Sequence, residues 1–303
     1  MGVLRNAAAR RAAFDAAAAR GRTLVLVHHR VTPGGALPHE VVPSLAGGVL
    51  ERQLEILGEV GDIVPAVELA VARRPRRRIG FAITFDDDYA THVDHALPLL
   101  RRYGVHATFF LSGRSLRGCG AYWWMRLERL IARHGLAETG RLLGVAASTP
   151  SRMAEACERL ALSERIASLE PATESETELL DARGMRALAD AGMAIGFHTL
   201  HHPVLTGLPD AELDRALTDG RAELAEAVRR PMQLVAYPHG RADRRVADHA
   251  RAAGYLAAFA TGGRPIGRGS ERFLLGRWDP AALVGDELLA HLALRLNRPA
   301  GAP

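Results

Sequence analysis

The chain has 303 residues, of which 48% are hydrophobic and 24% are charged, so it is long enough to bury a sizeable core. All 39 of its Lys+Arg residues are arginine, which excludes a P-loop lysine and any Schiff-base lysine. The formal charge of +5 is mild, the arginines are dispersed and only 5% of residues are aromatic, so a nucleic-acid partner is not expected. No apolar stretch approaches the ~20 residues of a membrane span.

The first segment, residues 1–21, is rich in alanine and arginine and predicts an N-terminal helical extension. It lacks the apolar run of a secretory signal peptide, so we expect a cytoplasmic protein. Because its apolar face is mostly alanine, it gives little support for association with a membrane surface, which stays open. The basic run Arg73–Arg78 could contact phosphate or anionic lipid, but a solvated loop before a strand is the favoured interpretation.

Short apolar runs alternate with helical segments along the rest of the chain, a pattern typical of a parallel α/β fold. Predicted strands are Thr23–Val27, Asp62–Pro65, Ile79–Phe85, His106–Ser112, Ala194–His198, Gln233–Tyr237, Tyr255–Ala260 and Phe273–Trp278. Predicted helices are Gly48–Glu59, a small helix up to Ala72, Tyr89–Tyr103, Leu179–Ala191, Pro209–Arg229, Asp243–Ala253 and Leu283–Leu296. Residues 114 to about 177 carry helical sequence without a strand signal. We therefore predict one barrel domain, residues 22–303, with a helical insertion or cap.

Polar side chains follow several of the predicted strands. In a parallel barrel the carboxyl ends of the strands share one face, and that face carries the active site. The alternation therefore predicts that these side chains converge from separate segments of the chain. They are His28 and His29, the triplet Asp86, Asp87 and Asp88, the group His198, His201 and His202, and His239, Arg277 and Asp279.

The aspartates and two of the histidines have the chemistry of a metal site. Asp86 and Asp87 repel each other directly after an apolar strand, and a bound cation would remove that cost, although a solvated loop is the alternative. His198 and His202 are separated by three residues, which allows both imidazoles to reach one ion. Histidine and carboxylate ligands suit Zn²⁺, with Co²⁺ or Ni²⁺ as alternatives. Two histidines and one aspartate leave positions open for water and substrate.

Other polar residues in these segments favour structural roles. Asp88 needs no more than a turn or a helix cap, and we place His201 on the opposite side of its loop. His92 and His95 are interpreted as surface or capping residues of the following helix. His239 has two open interpretations, since it could contact substrate or fill the tight turn before a glycine.

Three segments resemble motifs of the polysaccharide deacetylase family, the NodB-homology carbohydrate esterases. TFDDDY (Thr84–Tyr89) resembles the family's TFDDG motif, HTLHHP (His198–Pro203) looks like its H[ST]xxH motif, and AYPHG (Ala236–Gly240) is similar to its AYPYG motif. The segment ATFFLSG (Ala107–Gly113) is also similar to family sequence. The resemblance covers about residues 22–280 apart from the insertion. It implies a distorted (β/α) barrel of the NodB-homology type.

The resemblance also implies roles for the residues of the first two motifs. Asp86 stands at the position of the family's general base. Asp87, His198 and His202 stand at the positions of its metal ligands. The implied reaction is hydrolysis of an N-acyl group, taken as N-acetyl, from an amino sugar in a glycan or glycan precursor.

The catalytic acid has a less direct match. The chain has no good counterpart of the C-terminal motif that carries this histidine in many members. The segment VHHRV, Val27–Val31, looks like the YHRV strand with which one branch of the family begins. This similarity makes His29 the candidate acid and places His28 where that branch has tyrosine.

The sequence departs from the family pattern at two further points. Asp88 replaces the glycine after the aspartate pair, and aspartate tolerates left-handed backbone better than most residues. Ala236 replaces the arginine that normally holds the catalytic base. Arg277, at the end of a predicted strand, resembles an arginine position of related proteins and is the candidate substitute.

Substrate contacts are predicted from the same strand ends. The backbone N–H of Tyr237 is the candidate oxyanion donor, and His239 and Trp278 are candidates for substrate contact. Trp278 is equally compatible with core packing. Trp123 and Trp124 are compatible with either a lid over the substrate or the insertion's own core.

Alternative functions are a deacylase of a non-glycan amide or lipid-linked sugar, and a catalytically silent glycan-binding module. The intact metal set argues against the silent module.

Overall fold

The computed structural model describes residues 6–71, 78–171 and 178–300. In this part of the chain the strands are β1 (Thr23–His28), β2 (Val31–Thr32), β3 (Leu45–Ala46), β4 (Gly61–Ile63), β5 (Ile79–Asp86), β6 (Thr108–Leu111), β7 (Ala194–Phe197), β8 (Leu234–Ala236), β9 (Ala257–Thr261) and β10 (Leu275–Trp278). The α-helices are α1 (Ala7–Ala19), α2 (Gly47–Val60), α3 (Val67–Val71), α4 (Leu97–Arg102), α5 (Trp123–His134), α6 (Leu136–Leu143), α7 (Pro150–Arg159), α8 (Ser163–Leu169), α9 (Ala182–Asp190), α10 (Asp210–Thr218), α11 (Arg221–Val228), α12 (Arg244–Ala252) and α13 (Gly285–Leu296).

Parallel strands close into a barrel. Within the described residues the order is β1-β10-β9-β8-β7-β6-β5, and β5 pairs back with β1 along six residues. The short strand β4 adds beside the first residues of β5, and β2 pairs with β3 outside the barrel. This is the predicted (β/α) barrel. Between β7 and β8 the residues in register are Phe197 and Val235.

The barrel strands are buried along most of their length, which explains why their sequences read as continuous apolar runs. Every residue of β1 and β5 is buried. Parallel strands covered on both faces have this composition because neither face meets water. The site aspartates and histidines begin where these apolar runs end, so the fold places them together at the carboxyl ends of the strands.

The segment between β6 and α9 forms a small helical layer with its own core. Helices α5 to α8 bury apolar side chains against each other, among them Leu127, Met153 and Ile166. The layer is tied to the barrel by Arg30, which follows β1 and forms an ion pair with Glu128 of α5 at 2.7 Å. The end of the predicted insertion, residues 172–177, lies outside the described residues.

The two terminal helices pack against each other. Ala17 of α1 is fully buried in the same core as the barrel strands. Arg10 donates to Asp286 on α13 at 2.7 Å, and Arg20 donates to Asn297 at 3.0 Å. The described part of the predicted N-terminal extension is thus integrated with the barrel. None of the helices in the described ranges is both long and apolar enough for a membrane crossing.

Two predicted helices differ from the structure. The segment Pro209–Arg229 was predicted as one helix but forms α10 and α11, because Gly220 between them takes a left-handed φ of +81°. A Cβ there would lie 3.4 Å from the side chain of Leu200. The helix predicted from Tyr89 opens with a π-helical turn, His92–Ala96, before α4 continues it.

Of the basic run, Arg78 is described and pairs with Asp62, while the other five residues lie outside the described ranges.

Candidate active site

The carboxyl ends of the barrel strands open into a cavity of about 740 Å³. Its walls combine residues that follow β1, β5, β7, β8, β9 and β10 with residues of α5 and α7 from the insertion. The predicted convergence of polar side chains is therefore observed for most of the set, whereas His28, Asp88 and His201 do not line the cavity. Parallel strands of one barrel bring these distant segments to the same face.

Asp87, His198 and His202 form a compact set of metal-competent donors. Their ligand atoms all lie within 4.8 Å of one another. Oδ1 of Asp87 is 3.8 Å from Nε2 of His198 and 3.9 Å from Nε2 of His202. One carboxylate and two imidazoles, with space left in the cavity, are a donor set that could hold a divalent metal ion.

The hydrogen bonds around these three residues fit a metal. Nδ1 of His198 lies 2.8 Å from the carbonyl oxygen of Ala236, so the ring donates there and presents the lone pair of Nε2 to the site. Oδ1 of Asp87 is buried and has no hydrogen-bond partner in the described part of the chain. Burial lowers the pKa of His198 to about 4 and that of His202 well below its ordinary value, so both imidazoles are neutral as ligands must be.

Strained backbone accompanies the site. Asp87 and His202 have left-handed φ values of 68° and 52°, and Thr199 between the two histidines has 62°. Such conformations cost non-glycine residues about 1–3 kcal/mol each and cluster at functional sites. The expectation that Asp88 would take the left-handed position of the motif glycine is wrong, since Asp87 takes it.

Asp88 has a structural role, but it is a buried acceptor of three hydrogen bonds and not the turn residue or helix cap that was predicted. Its carboxylate accepts the backbone N–H of Ser112 at 2.7 Å, the hydroxyl of Ser112 at 2.7 Å and the backbone N–H of Arg114 at 3.0 Å. These bonds join the loop after β5 to the loop after β6. Burial raises the pKa of Asp88, while the hydrogen bonds from Ser112 and Arg114 oppose that rise.

Asp86 and Arg277 form a buried, two-pronged ion pair. Nη1 and Nη2 of Arg277 donate to Oδ1 and Oδ2 of Asp86 at 2.5 and 2.7 Å. Arg277 also donates to Thr84, whose hydroxyl donates to the carbonyl of Leu26 at 2.8 Å. Burial alone would raise the pKa of Asp86, but Arg277 and the other nearby positive charges outweigh it and lower this pKa to about 2. The structure thus brings Arg277 into contact with Asp86, and the role of Arg277 in catalysis stays a prediction.

His29 lies on the cavity wall directly after β1 and is half-buried. Burial lowers its pKa, whereas the carboxylates of Asp86 and Asp279 act in the opposite direction. His28 lies within β1 and its ring packs on Phe85 with centroids 5.4 Å apart. Of the two histidines, His29 is the one that reaches the cavity.

The interpretation of His92 as a surface or capping residue is wrong. The ring is completely buried, and Nε2 lies 3.2 Å from the carbonyl oxygen of Asp86 and 3.0 Å from that of Asp87. The π-helical turn aims this side chain inward, where it supports the backbone of the aspartate pair. Burial lowers the pKa of His92 to about 4.

The prediction for Tyr237 is also wrong. Its backbone N–H donates to the carbonyl of Phe259 at 2.9 Å, and its hydroxyl donates to the carbonyl of Phe273 at 2.9 Å. The side chain is fully buried in the barrel core. The N–H is used to join β8 to β9 and is not free to hold an oxyanion.

His239 faces the cavity with a left-handed φ of 57°. Its ring packs on that of His202 with centroids 4.6 Å apart, and its Nε2 lies 3.2 Å from Oε1 of Glu158 on α7. The position is compatible with the predicted substrate contact. It also links the insertion to a metal-competent histidine.

The tryptophans divide between packing and cavity wall. Trp278 lines the cavity, is 7% exposed and belongs to the barrel core, so core packing is observed and substrate contact stays a prediction. Trp124 is buried, donates to the Tyr89 hydroxyl at 3.2 Å and packs on the ring of His202. Trp123 is half-buried at the cavity.

Four charged residues of the cavity wall were missed by sequence analysis: Glu155, Glu158, Arg241 and Arg295. The two glutamates lie on α7, and Arg295 lies on α13. Only Arg241, immediately after the third motif, carried a positional signal, because it follows a strand end. The others sit on helices whose docking no local pattern reveals.

Comparison with known proteins agrees with this geometry. The family model described as polysaccharide deacetylase matches residues 73–258, more than half of the chain. No curated protein sequence gives a significant match. The solved structures below share at most 18% identity with the chain and therefore show the fold alone.

The chain is similar to the Streptococcus pyogenes deacetylase PplD in complex with acetate, at 15% identity and a TM-score of 0.59 over 92% of this chain and 99% of that one. IcaB from Ammonifex degensii gives 18% identity and a TM-score of 0.59 over 92% and 98% of the two chains. The de-N-acetylase from Aggregatibacter actinomycetemcomitans gives 14% identity and 0.55 over 87% and 97%. With its NodB-type barrel and the matching family model, the chain belongs to the polysaccharide deacetylase family.

Proposed function

We propose that the chain is a metal-dependent hydrolase that removes an N-acetyl group from an amino sugar of a glycan or glycan precursor. The observation that carries the proposal is the placement of an ionised, arginine-held carboxylate, Asp86, beside the metal-competent set Asp87, His198 and His202 in one cavity. Zinc is the proposed ion, with cobalt or nickel as alternatives. When bound, such a cation polarises the acyl carbonyl and lowers the pKa of water.

Asp86 is the proposed general base. Arg277 keeps it ionised and fixes both of its oxygens, so the carboxylate is ready to take a proton from the attacking water. The water oxygen bonds to the acyl carbon and the carbon–nitrogen bond breaks. Arg277 therefore acts on the reaction through the position and charge of Asp86.

His29 is the proposed acid that protonates the leaving amine. Burial lowers the pKa of His29, and the negative charge of Asp86 opposes that effect by favouring the imidazolium form. Once Asp86 has accepted the water proton, this stabilisation is gone and His29 releases its own proton more readily. In the proposal Asp86 thus acts as the base and His29 as the acid, and both line the same cavity.

The proposal is tested by acetate release from N-acetylglucosamine oligosaccharides with the full chain. We expect about one equivalent of zinc per chain by elemental analysis, lost in His202→Ala. Asp86→Asn should lower the rate by about 10²–10⁴-fold, while Asp94→Asn, an exposed neighbour on the π-helical turn, should leave it unchanged. Zinc binding without acetate release would favour the silent glycan-binding module, and release from a non-glycan amide alone would favour the deacylase alternative.

A further inference from the structure

Arg295 of α13 reaches the cavity from outside the barrel. It lines the wall together with Gly263, which follows β9, and Trp278 at the end of β10. The guanidinium carbon of Arg295 stands 4.3 Å above the Trp278 ring. The aromatic face therefore holds the charged group in place at the cavity wall.

The backbone at Gly263 is shaped around this arginine. Gly263 has a left-handed φ of +62°, and a Cβ at this position would collide with Nη1 of Arg295. The absence of a side chain at Gly263 leaves the space that the guanidinium occupies. Two features of the fold, a glycine and an aromatic ring, thus position one arginine.

Arg295 also lacks the counter-charge that the other cavity arginines have. Arg277 is paired with Asp86, and Arg241 faces Glu158 with 4.0 Å between Nη1 and Oε2. Among the residues that the structure describes, no carboxylate forms an ion pair with Arg295, and its buried Nε has no hydrogen-bond partner. Burial, together with the charge of Arg298, lowers the pKa of Arg295.

The acidic residue that follows Trp278 on the cavity wall forms a different contact. Asp279 lines the cavity next to Trp278, but its carboxylate accepts the backbone N–H of Ala281 at 2.6 Å. The cavity glutamates lie on α7 of the insertion. A partly desolvated guanidinium without a carboxylate partner is costly, and an anion supplied from outside the chain would offset that cost.

We propose that Arg295, held over Trp278 and against Gly263, is a binding subsite for an anionic oxygen group, phosphate or carboxylate, carried by the amino sugar substrate or by the residue linked to it. The planar fork of arginine donors matches both groups. The inference rests on the proposed function, because the sugar that it orients is the one whose acetyl group is removed. It narrows the substrate class to anionic N-acetylated sugars.

The test is a binding comparison by calorimetry on the zinc-loaded full chain with Asp86→Asn, so that the probe is not consumed. N-acetylglucosamine 1-phosphate is compared with N-acetylglucosamine. A disaccharide of glucuronate and N-acetylglucosamine is compared with neutral N,N′-diacetylchitobiose. We expect at least one anionic probe to bind about tenfold tighter than its neutral counterpart at low salt. The arm that shows the preference identifies phosphate or carboxylate as the group.

Arg295→Gln should abolish the preference, and Arg295→Lys should retain part of it because the charge remains but the fork is lost. Arg298→Gln, an exposed arginine on the same end of the molecule, is the matched control and should keep the preference. Equal affinities for anionic and neutral probes, a preference that survives in Arg295→Gln, or no binding of any probe would each overturn the proposal. Absence of acetate release with an intact Arg295-dependent preference would reject the deacetylase function and leave the subsite standing.

Discussion

At the scale of single residues, Asp86 is a carboxylate on which burial and charge act in opposite directions. Burial favours the protonated acid, and the two donors of Arg277 favour the ionised form. Because the arginine effect outweighs burial, the carboxylate remains ionised down to low pH. Among the described residues no arginine forms a hydrogen bond with Oδ1 of Asp87, and under the proposed function a bound cation would favour its ionised form.

Removing Arg277 should therefore expose the effect of burial on Asp86. In Arg277→Gln the pKa of Asp86 rises, so the acid limb of kcat/KM against pH moves to higher pH. The rate at neutral pH should fall by about 10²–10⁴-fold, as for loss of a positioned base. Arg102→Gln, which removes an exposed ion pair with Glu51, is the control and should leave the profile in place. A variant with wild-type rate and an unmoved acid limb would remove Arg277 from the mechanism.

Asp87 leads to a prediction about stability. Burial and the charges of Asp86 and Asp88 raise its pKa well above the ordinary value. The native state thus holds this proton more tightly than the unfolded chain, so ionisation costs stability as pH rises above the unfolded pKa of about 4. Asp87→Asn should unfold at a higher temperature than wild type at neutral pH in chelator, and the difference should vanish below about pH 4.

The same variant should lose its response to zinc. Wild type gains stability when zinc binds the native state, by about 4 kcal/mol at a thousandfold excess over Kd. The midpoint of Asp87→Asn should be the same with and without the ion. A stabilising response of equal size in both proteins would place the zinc elsewhere.

The positions of site residues at the ends of strands could be predicted from the sequence. Asp86, Asp87 and His198 follow apolar runs at once, and parallel topology alone brings such positions together. Tyr237 was mispredicted because a strand-end position does not reveal whether its N–H is used by the next strand. His92 was mispredicted because the π-helical turn changes which face of the helix points inward.

At the scale of elements, α7 links the insertion to the metal-competent set. Glu158 on this helix contacts His239, and His239 packs on His202. The helical character of this region could be read from composition, but the face that α7 turns to the cavity could not. It depends on the packing of the insertion against the barrel, which includes the buried Arg30–Glu128 pair.

Glu158→Gln should consequently weaken zinc binding although Glu158 is not itself a ligand. Direct hydrogen-bond partners of metal-bound histidines contribute about 10–100-fold to affinity. Glu158 reaches His202 only through the ring of His239, so we expect a smaller loss by chelator competition. Glu155→Gln is the matched control, since Glu155 lines the same cavity from the same helix and pairs with Arg152 at 3.5 Å. Equal affinities in the two variants would show that α7 has no influence on the metal.

At the scale of the whole molecule, the ends of the chain close on each other. Helix α1 packs on α13, and the Arg10–Asp286 pair joins them. Arg295 belongs to this same α13 and reaches the cavity from it. The terminal helices therefore support one wall of the site, and nothing in the local sequence of α13 predicts this, because its pattern describes an ordinary amphipathic helix.

Removing the contact between α1 and α13 should affect the cavity wall that carries Arg295. Deletion of residues 1–20 uncovers α13, and we expect a lower unfolding temperature. Any preference for anionic sugars should weaken more than zinc affinity, since Arg295 is on α13 whereas the zinc donors lie at strand ends. Thermal unfolding and the two titrations measure this. Equal loss of both affinities would indicate general unfolding in place of a local effect.

The short pairing between β7 and β8 has a consequence for the internal motion of the barrel. Immediately after Phe197 and Val235, the ring of His198 donates to the carbonyl of Ala236. This side chain therefore connects β7 to β8, which have a single residue pair in register. A metal held by that ring would stabilise the contact between β7 and β8. Fluctuations that separate the two strands would move the ring away from the ion. Release of the metal ion and separation of β7 from β8 are then the same motion. It can be measured as ion release and as faster amide hydrogen exchange along β8.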